Sequence, residues 1–308
     1  MSKVADYDTY DYDYSTYWSK RKYEHEAESL VLKKLLKDQK GKWFLDVGGS
    51  FGRLTNSYYK KYSKPVIADY SLKTLQKNYK ELKNKYPNIE LIAANAYFLP
   101  FKDNVFDGAL MVRVLHHIED TQKCISEIFR TQSNNGIYIQ EFANKIHIKA
   151  TVKALLTLNF SFFNISPYQQ PDKHHYEGTK QGSHVLFLNY HPKYIRKILT
   201  EAGYIIEKKY GCSFLRVNIL KKIFKTDFLL FWENIFQNIL SFTNFSPSIF
   251  IKAVAKKESN KKEDSKRIED ILVCPQCKGE LEITSKRAVC RHCKKEYIKK
   301  DYIWDFRV

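Results

Sequence analysis

The sequence predicts an α/β protein with a mostly parallel sheet that helices cover on both faces, followed by a small metal-binding module. Apolar runs of strand length alternate with segments of helical spacing between residues 42 and 142, which is typical of such a sheet. The first apolar run ends in an acid and then breaks into glycines. Four of the six cysteines fall within 20 residues, at 274–293. With 308 residues, the chain has room for one large domain and the module.

The elements are predicted in chain order from apolar periodicity and from turn and capping residues. A helix over 21–37 precedes the first strand. Strands are expected at 42–47, 65–68, 89–93, 106–112, 136–142, 204–208 and 247–254. Further helices are expected from about Gly52, from Ser71 to about Tyr86, and over 120–132, 191–202 and 214–242.

The charge of the chain is strongly basic, with 52 Lys and Arg against 34 Asp and Glu, a net +18. Such a field attracts RNA, DNA or an anionic membrane surface, although lysines spread over a solvated surface are the alternative. The polar, tyrosine-rich first 20 residues lack the apolar core of a signal peptide. The most apolar stretch, 228–242, is interrupted by Glu233 and by amides, so it predicts an amphipathic or buried helix and no integral membrane segment. We therefore expect a cytoplasmic protein.

The segment FLDVGGSFGRL, residues 44–54, predicts a ligand site at the end of the first strand. Gly48 and Gly52 permit positive φ angles and leave room for a ligand against the backbone. Asp69 ends the second strand, 69 − 46 = 23 residues after Asp46, where an acid can accept both hydroxyls of a ribose. The spacing GGSFG does not fit the G-x-G-x-x-G turn of a dinucleotide-binding dehydrogenase. A nucleoside pocket is therefore predicted.

The run Asp46, Val47, Gly48, Gly49, Ser50, Phe51, Gly52 resembles the first motif of class I methyltransferases that use S-adenosylmethionine, with Ser50 in place of the middle glycine. IADYS, AANAYFLPF and RVLHH follow in the family's order, so the resemblance covers about residues 20–256. It implies a Rossmann-like, seven-stranded sheet and S-adenosylmethionine as cofactor. The cofactor-binding residues that it implies are Arg21, Asp46, Gly48, Gly49, Ser50, Gly52, Asp69, Tyr70, Asn95, Ala96 and Arg113.

The catalytic candidates are His117 and Glu141, which should lie at strand ends that face the acceptor. Methyl transfer needs proximity and alignment above all, plus a base where the nucleophile requires one. A structural role for the histidines is the alternative. The segments 145–190 and 214–242 are expected to build the acceptor lid. Aromatic residues such as Phe160 and Tyr168 would either stack on the acceptor or pack in the core.

Two C-x-x-C pairs, Cys274 with Cys277 and Cys290 with Cys293, predict a closed four-thiolate site for a structural Zn²⁺. The surrounding sequence resembles the small zinc-ribbon protein that activates tRNA, rRNA and translation-factor methyltransferases. We therefore divide the chain into a methyltransferase domain at 1–255, a charged linker at 256–267 and a zinc ribbon at 268–308. The ribbon is expected to dock on its own catalytic domain, although docking on another protein stays open.

The sequence thus favours an S-adenosylmethionine-dependent methyltransferase with a small-molecule or lipid-like acceptor. Two alternatives remain at this point. One is a methyltransferase that acts on tRNA, rRNA or a translation factor, which the ribbon and the positive charge favour. The other is a non-catalytic scaffold that binds a ligand, suggested by Ser50 and by Asn95, where related enzymes often carry an acid.

Overall fold

The structure is a computed structural model that describes residues 17–18, 21–170, 186–258 and 265–308. Half of the predicted linker, residues 259–264, lies outside these ranges. The strands are β1 (Gly41–Val47), β2 (Tyr62–Asp69), β3 (Glu90–Ala93), β4 (Phe106–Met111), β5 (Gln132–Ala143), β6 (Tyr168–Gln169), β7 (Leu188–Asn189), β8 (Tyr204–Cys212), β9 (Ser248–Ala255), β10 (Leu281–Ile283), β11 (Arg287–Cys290), β12 (Glu296–Lys300) and β13 (Ile303–Asp305).

The helices of the described residues alternate with these strands, as expected from the sequence. They are α1 (Lys22–Leu35), α2 (Thr55–Tyr58), α3 (Leu72–Lys85), α4 (Thr121–Thr131), α5 (Ile148–Leu156), α6 (Pro192–Glu201), α7 (Asn218–Ile223) and α8 (Thr226–Ile239). Single turns of 3₁₀ helix occur at Leu115–His117, Phe160–Phe163 and Glu269–Ile271. Among the residues described, no helix is long and apolar enough to cross a bilayer.

One sheet runs through the molecule in the order β10-β11-β12-β13-β3-β2-β1-β4-β5-β9-β8. Its last seven strands form the predicted seven-stranded unit. In that unit β1 to β5 are parallel to one another, and β9 lies antiparallel between β5 and β8. The mostly parallel α/β sheet predicted from the sequence is confirmed.

The side chains of the central strands alternate between two apolar layers, as period-two geometry requires. Leu45 on β1 joins the layer formed with α4 and α6, whereas its neighbour Phe44 joins the layer formed with α1 and α8. α3 packs Leu75 and Leu82 against Ile67 in a third cluster. Helices therefore cover both faces of the sheet, and the carboxyl edge of the parallel strands is left to the loops.

The helix expected from about Gly52 is much shorter than predicted. Residues 51–54 form turns, and only the four residues of α2 are helical before β2 begins at Tyr62. Gly48, Ser50 and Gly52 have φ angles of 73°, 50° and 73°. A right-handed helix requires negative φ, so the loop turns through a left-handed path and leaves room for only one helical turn.

The C-terminal module extends the sheet of the large domain. β13 lies parallel to β3, with Trp304 opposite Ile92, and the Phe306 amide donates to the carbonyl of Ala93 at 2.8 Å. Trp304 and Phe306 are buried in the same apolar cluster as the sheet. A second contact, the bridge between Phe101 and Leu272, fixes the start of the module. The sequence predicted that the module docks on its own domain, with docking on another protein as the alternative, and in the structure it contacts its own domain.

Candidate functional site

The site lies at the carboxyl edge of the parallel strands, where loops from distant parts of the sequence meet. Asp46 and Asp69 stand at the ends of β1 and β2, Arg113 follows β4, and Glu141 lies near the end of β5. Parallel pairing brings these ends to one edge. The structure thus gathers here the acids and the arginine that the sequence singled out.

The glycine loop is fastened to Asp69 through backbone hydrogen bonds. The Ser50 amide donates to Asp69 Oδ2 at 2.8 Å, and the Ser71 amide donates to Oδ1 at 2.8 Å. Ser50 has a positive φ of 50°, a conformation that costs about 1 kcal/mol for a residue with a side chain. These two bonds orient the carboxylate of Asp69, and a carboxylate oxygen can accept more than one hydrogen bond.

The glycines are also required by the protein's own packing. A Cβ on Gly48 would lie 2.3 Å from Val114 Cγ2, and one on Gly52 would lie 2.5 Å from Leu82 Cδ2. A Cβ on Gly49 would meet the carboxyl group of Asp46 at 2.8 Å. Close approach of neighbouring side chains, and not only room for a ligand, explains why these positions are glycine.

Asp46 is buried beneath the loop and accepts a hydrogen bond from the Tyr58 hydroxyl at 2.8 Å. Burial raises the pKa of Asp46 to about 7, against the opposing effect of the Tyr58 hydrogen bond. A carboxyl group in that range gains strongly from a nearby cation, because the cation favours its charged form. Asp46 is therefore suited to an ammonium group of a ligand.

A buried ion cluster, which the sequence analysis missed, supports Arg113. Glu28 on α1 accepts a hydrogen bond from Arg113 Nε at 2.7 Å and another from Arg53 Nη2 at 2.6 Å. Burial alone would raise the pKa of Glu28, but Arg113 and Arg53 outweigh it and hold that pKa below its usual value. Arg113 has a φ of 62°, and its amide donates to Glu141 Oε2 at 2.8 Å. These contacts fix the arginine at the carboxyl edge.

A second group of cations surrounds the start of α1. Arg21 places its guanidinium 4.0 Å from the centre of the Tyr17 ring. Burial, together with Arg113 and Arg21, lowers the pKa of Arg216, so these positive charges lie close to one another. Glu24 Oε1 accepts a hydrogen bond from Lys221 Nζ at 2.7 Å. The other oxygen, Oε2, is buried and has no hydrogen-bond partner among the described residues. The region is suited to a carboxylate ligand, which would offset the excess positive charge.

The C-terminal module contacts the part of the site formed by the residues that follow β2 and β3. Asn95 Oδ1 accepts the Tyr97 amide at 3.0 Å, and Asn95 Nδ2 donates to the carbonyl of Val308 at 3.3 Å. Arg307 lies 5.6 Å from the Tyr70 ring and donates to the Tyr70 carbonyl at 3.3 Å. Ala96 is half-buried beside Asn95. The last two residues of the chain therefore contact residues that follow β2 and β3, and nothing in the sequence predicted the contacts of Val308.

The two catalytic candidates lie in different environments. His117 Nδ1 is 2.8 Å from the carbonyl of Leu186, and burial lowers the pKa of His117 to about 4. Because a carbonyl only accepts, Nδ1 carries the proton and Nε2 the lone pair. Glu141 is buried and accepts from the Arg113 amide and the Ser248 hydroxyl. His117 is thus neutral at neutral pH, while Glu141 is held in a hydrogen-bonded network.

The four cysteines of the C-terminal module form one cluster. All four Sγ atoms lie within 4.8 Å of one another, with Cys274 to Cys293 at 3.6 Å and Cys277 to Cys290 at 3.4 Å. Thiolates about 2.3 Å from a tetrahedral metal ion lie roughly 3.8 Å apart. The donor set therefore fits a four-coordinate metal ion, and it leaves no position open for a substrate.

Comparison with known proteins supports a methyltransferase domain. Residues 45–140, about a third of the chain, match the family model of a methyltransferase domain. An uncharacterised protein of Methanocaldococcus jannaschii is 34% identical over 142 residues, 46% of this chain and 52% of that one. The ubiquinone/menaquinone biosynthesis C-methyltransferase UbiE of Cronobacter sakazakii is 30% identical over 114 residues, 35% of this chain and 45% of that one. The chain thus spans about half the length of these relatives.

Solved structures share the fold at low sequence identity. One belongs to the complex between the Haloferax volcanii Trm112 methyltransferase activator and a candidate methyltransferase, with a TM-score of 0.53, 12% identity, and coverage of 83% of this chain and 100% of that one. Another is a candidate S-adenosylmethionine-dependent methyltransferase of Listeria monocytogenes, with a TM-score of 0.54, 16% identity, and coverage of 77% and 100%. The large domain therefore has the class I methyltransferase fold.

Proposed function

We propose that the protein transfers a methyl group from S-adenosylmethionine to a small-molecule or lipid-like acceptor. One observation carries the proposal: a left-handed glycine loop whose Ser50 amide is bonded to Asp69, at the carboxyl edge of a domain that matches methyltransferases. S-Adenosylmethionine, when bound, supplies a methyl carbon attached to a positively charged sulfonium leaving group. The chain's own residues then have to bind, align and exclude water.

Each candidate binding residue suits a different chemical group of the cofactor. Asp69 would accept the ribose hydroxyls, and Asn95 with Ala96 would border the adenine. Asp46, whose buried carboxyl group favours a cation, suits the amino group of the methionine part. The positive region of Arg21 and its neighbours suits the carboxylate. Each part of the cofactor thus meets a group of complementary charge or hydrogen-bonding type.

His117 is our candidate for the base that accepts a proton from the acceptor. Its Nδ1 proton is directed to Leu186, so the lone pair lies on Nε2, and its low pKa keeps the ring neutral near pH 7. Glu141 acts instead as a positioning residue, because it holds the Arg113 backbone. The four-cysteine cluster would hold a structural Zn²⁺ that stabilises the module against β3.

The acceptor class rests on the relatives and on the surface. UbiE, by its name, acts in quinone biosynthesis, which favours a small apolar acceptor. An RNA or translation-factor acceptor is the second candidate, favoured by the net charge of +18 and by the fold shared with a chain from an activator complex. A non-catalytic scaffold is the third candidate.

Calorimetric titration of S-adenosylhomocysteine tests the proposal. We expect binding to the unmodified protein and a loss of at least about tenfold in affinity for Asp69→Ala, since ribose contacts of this kind contribute about 1.4 kcal/mol or more. Asp38→Ala, an exposed acid after α1, is the matched control and should bind normally. Absence of binding to the unmodified protein would overturn the proposal and favour the scaffold.

The acceptor is tested separately with S-adenosylmethionine carrying a labelled methyl group. The labelled product is extracted from reactions with lipid, RNA and protein fractions of a cell extract. Label in the organic phase supports a lipid-like acceptor. Label that is released by ribonuclease or protease would move the RNA or translation-factor candidate to the front.

A further inference from the structure

The face of α8 that points outward is apolar, whereas its buried face is polar. Glu233 and Gln237 are buried one turn apart, together with Leu229. The Tyr23 hydroxyl and the Ser213 amide donate to Glu233 at 2.5 and 2.7 Å, and Gln237 donates to the Ala27 carbonyl at 3.0 Å. The exposed large side chains of α8 are Phe228, Phe231, Trp232 and Ile239. This orientation is the reverse of that of an ordinary surface helix.

α5 presents a second apolar surface. Ala154 is its only buried residue, while Leu156 is 81% exposed. The exposed large apolar residues of α5 and the following segment are Ile148, Val152, Leu155, Leu156, Leu158, Phe160 and Ile165. The Ile148 amide donates to the Phe245 carbonyl at 3.1 Å, which joins this segment to the chain that follows α8. A contiguous apolar patch of this size on a soluble domain indicates an interaction surface.

The charge of these two segments is one-sided. Residues 144–170 contain no acid, and residues 213–247 contain only Asp227 and the buried Glu233. The exposed basic residues of the two segments are Lys149, Lys153, Lys222 and Lys225. Lys145 is buried, and Lys221 and Arg216 lie against Glu24, so these three are not counted. A second copy of the chain would bring the same cations face to face without neutralising them. Anionic lipid headgroups neutralise lysines while the acyl region receives aromatic and aliphatic side chains.

Both segments leave the edge of the sheet that carries the candidate active site. Strand pairing sets Ala143 of β5 opposite Ser248 of β9, and Ser248 opposite Cys212 of β8. The segment after β5 and the segment between β8 and β9 therefore start at the carboxyl edge, beside Glu141. Here we call residues 144–170 and 213–247 together the apolar lysine face.

We propose that the apolar lysine face docks the protein on the surface of an anionic lipid bilayer, with the carboxyl edge of the sheet toward the lipid. The exposed rings of α8 enter the interfacial region, and the lysines contact the headgroups. An apolar acceptor dissolved in the bilayer would then reach the site without crossing water. The docking itself does not depend on methyl transfer, so it can be tested apart from the proposed activity.

The test is sedimentation of the full chain with vesicles of phosphatidylcholine, with and without phosphatidylglycerol. We expect binding that requires the anionic lipid. Leu156→Glu combined with Phe242→Glu should weaken it by about tenfold or more, through lost apolar contact and added repulsion. Both side chains are 81% exposed in the structure, so folding should be unaffected.

The matched control is Lys193→Gln combined with Lys197→Gln on α6. That helix is also basic but has no large exposed apolar residue, so binding should change by less than about twofold. Trp232 gives an independent readout: its emission should shift to shorter wavelength on anionic vesicles, and Trp232→Phe should remove the shift.

Three results would overturn the proposal. The first is no binding of the unmodified chain to anionic vesicles. The second is an equal loss for the control pair, which would mean attraction by net charge alone. The third is a stable dimer that Leu156→Glu with Phe242→Glu dissociates, measured by sedimentation equilibrium, which would show that a second copy covers the face.

Discussion

Replacing Glu28 by Gln should destabilise the fold by about 3 kcal/mol while keeping the shape of the side chain. The change leaves Arg53 and Arg113 without their shared anion, and removing one partner of a buried ion pair costs about 3–5 kcal/mol. Arg113 is 22% exposed, and its Nε lies 3.9 Å from Glu141. These two facts place the expected cost at the lower end of that range. For a chain of this size, it corresponds to a decrease in Tm of roughly 5 °C.

Thermal and urea unfolding of the two proteins would measure the difference. Glu26→Gln, two residues earlier on α1 and half-exposed, is the matched control and should change stability by less than about 0.5 kcal/mol. A loss below about 1 kcal/mol for Glu28→Gln would refute the reasoning, since it would mean that solvent already screens the two arginines.

The effect of Glu28 should also depend on pH in a defined direction. Its folded pKa is lowered by Arg113 and Arg53 against the effect of burial. The stabilisation is therefore complete above the usual glutamate value of about 4.3, and it disappears as the pH falls through the lower folded pKa. The difference between Glu28→Gln and the unmodified protein should shrink below about pH 4.

Three further predictions concern the loop, the module and the candidate base. Gly48→Ala should cost about 2–4 kcal/mol and abolish S-adenosylhomocysteine binding, because a Cβ would lie 2.3 Å from Val114 at a φ of 73°; unchanged calorimetry would contradict this. Cys277→Ser should lower the zinc content of the purified protein and its Tm together, as measured by metal analysis and calorimetry. If His117 is the base, its pKa of about 4 means that activity should be independent of its titration above about pH 6 and should fall as the pH drops toward 4. The variant His117→Gln should then lose most of the activity, and its remaining activity should no longer fall as the pH drops toward 4.

The fold could be predicted because short stretches of sequence are enough to indicate each strand and helix. Apolar runs such as 42–47 and acids such as Asp69 stand where a parallel sheet requires them, and the strands appear within a few residues of the expected positions. The conformation of Ser50 was harder to predict from the sequence. Its positive φ is stabilised by the hydrogen bond to Asp69, which forms only in the folded chain.

The features that the sequence did not predict depend on contacts between residues far apart in the chain. The rings of 228–242 have helical spacing, which is equally typical of a core helix. Long-range bonds to Glu233 and Gln237, such as the one from Tyr23 to Glu233, hold the polar face inward. Glu28 offered a clearer signal. It lies four residues after Glu24, on the same face of α1 as Val31 and Leu35, and acids on an apolar helix face indicate buried ion pairs.

The pairing of β13 with β3 has a consequence for the order of events during synthesis. Trp304 and its partner Ile92 are separated by 304 − 92 = 212 residues, so at about 5–20 residues per second the ribosome makes β3 roughly 10–40 s before β13. During that interval the outer edge of β3 has no strand beside it and can pair with another nascent chain. The nascent protein therefore passes through a period of aggregation risk that ends only when the cysteine-rich module has been made and has folded against β3.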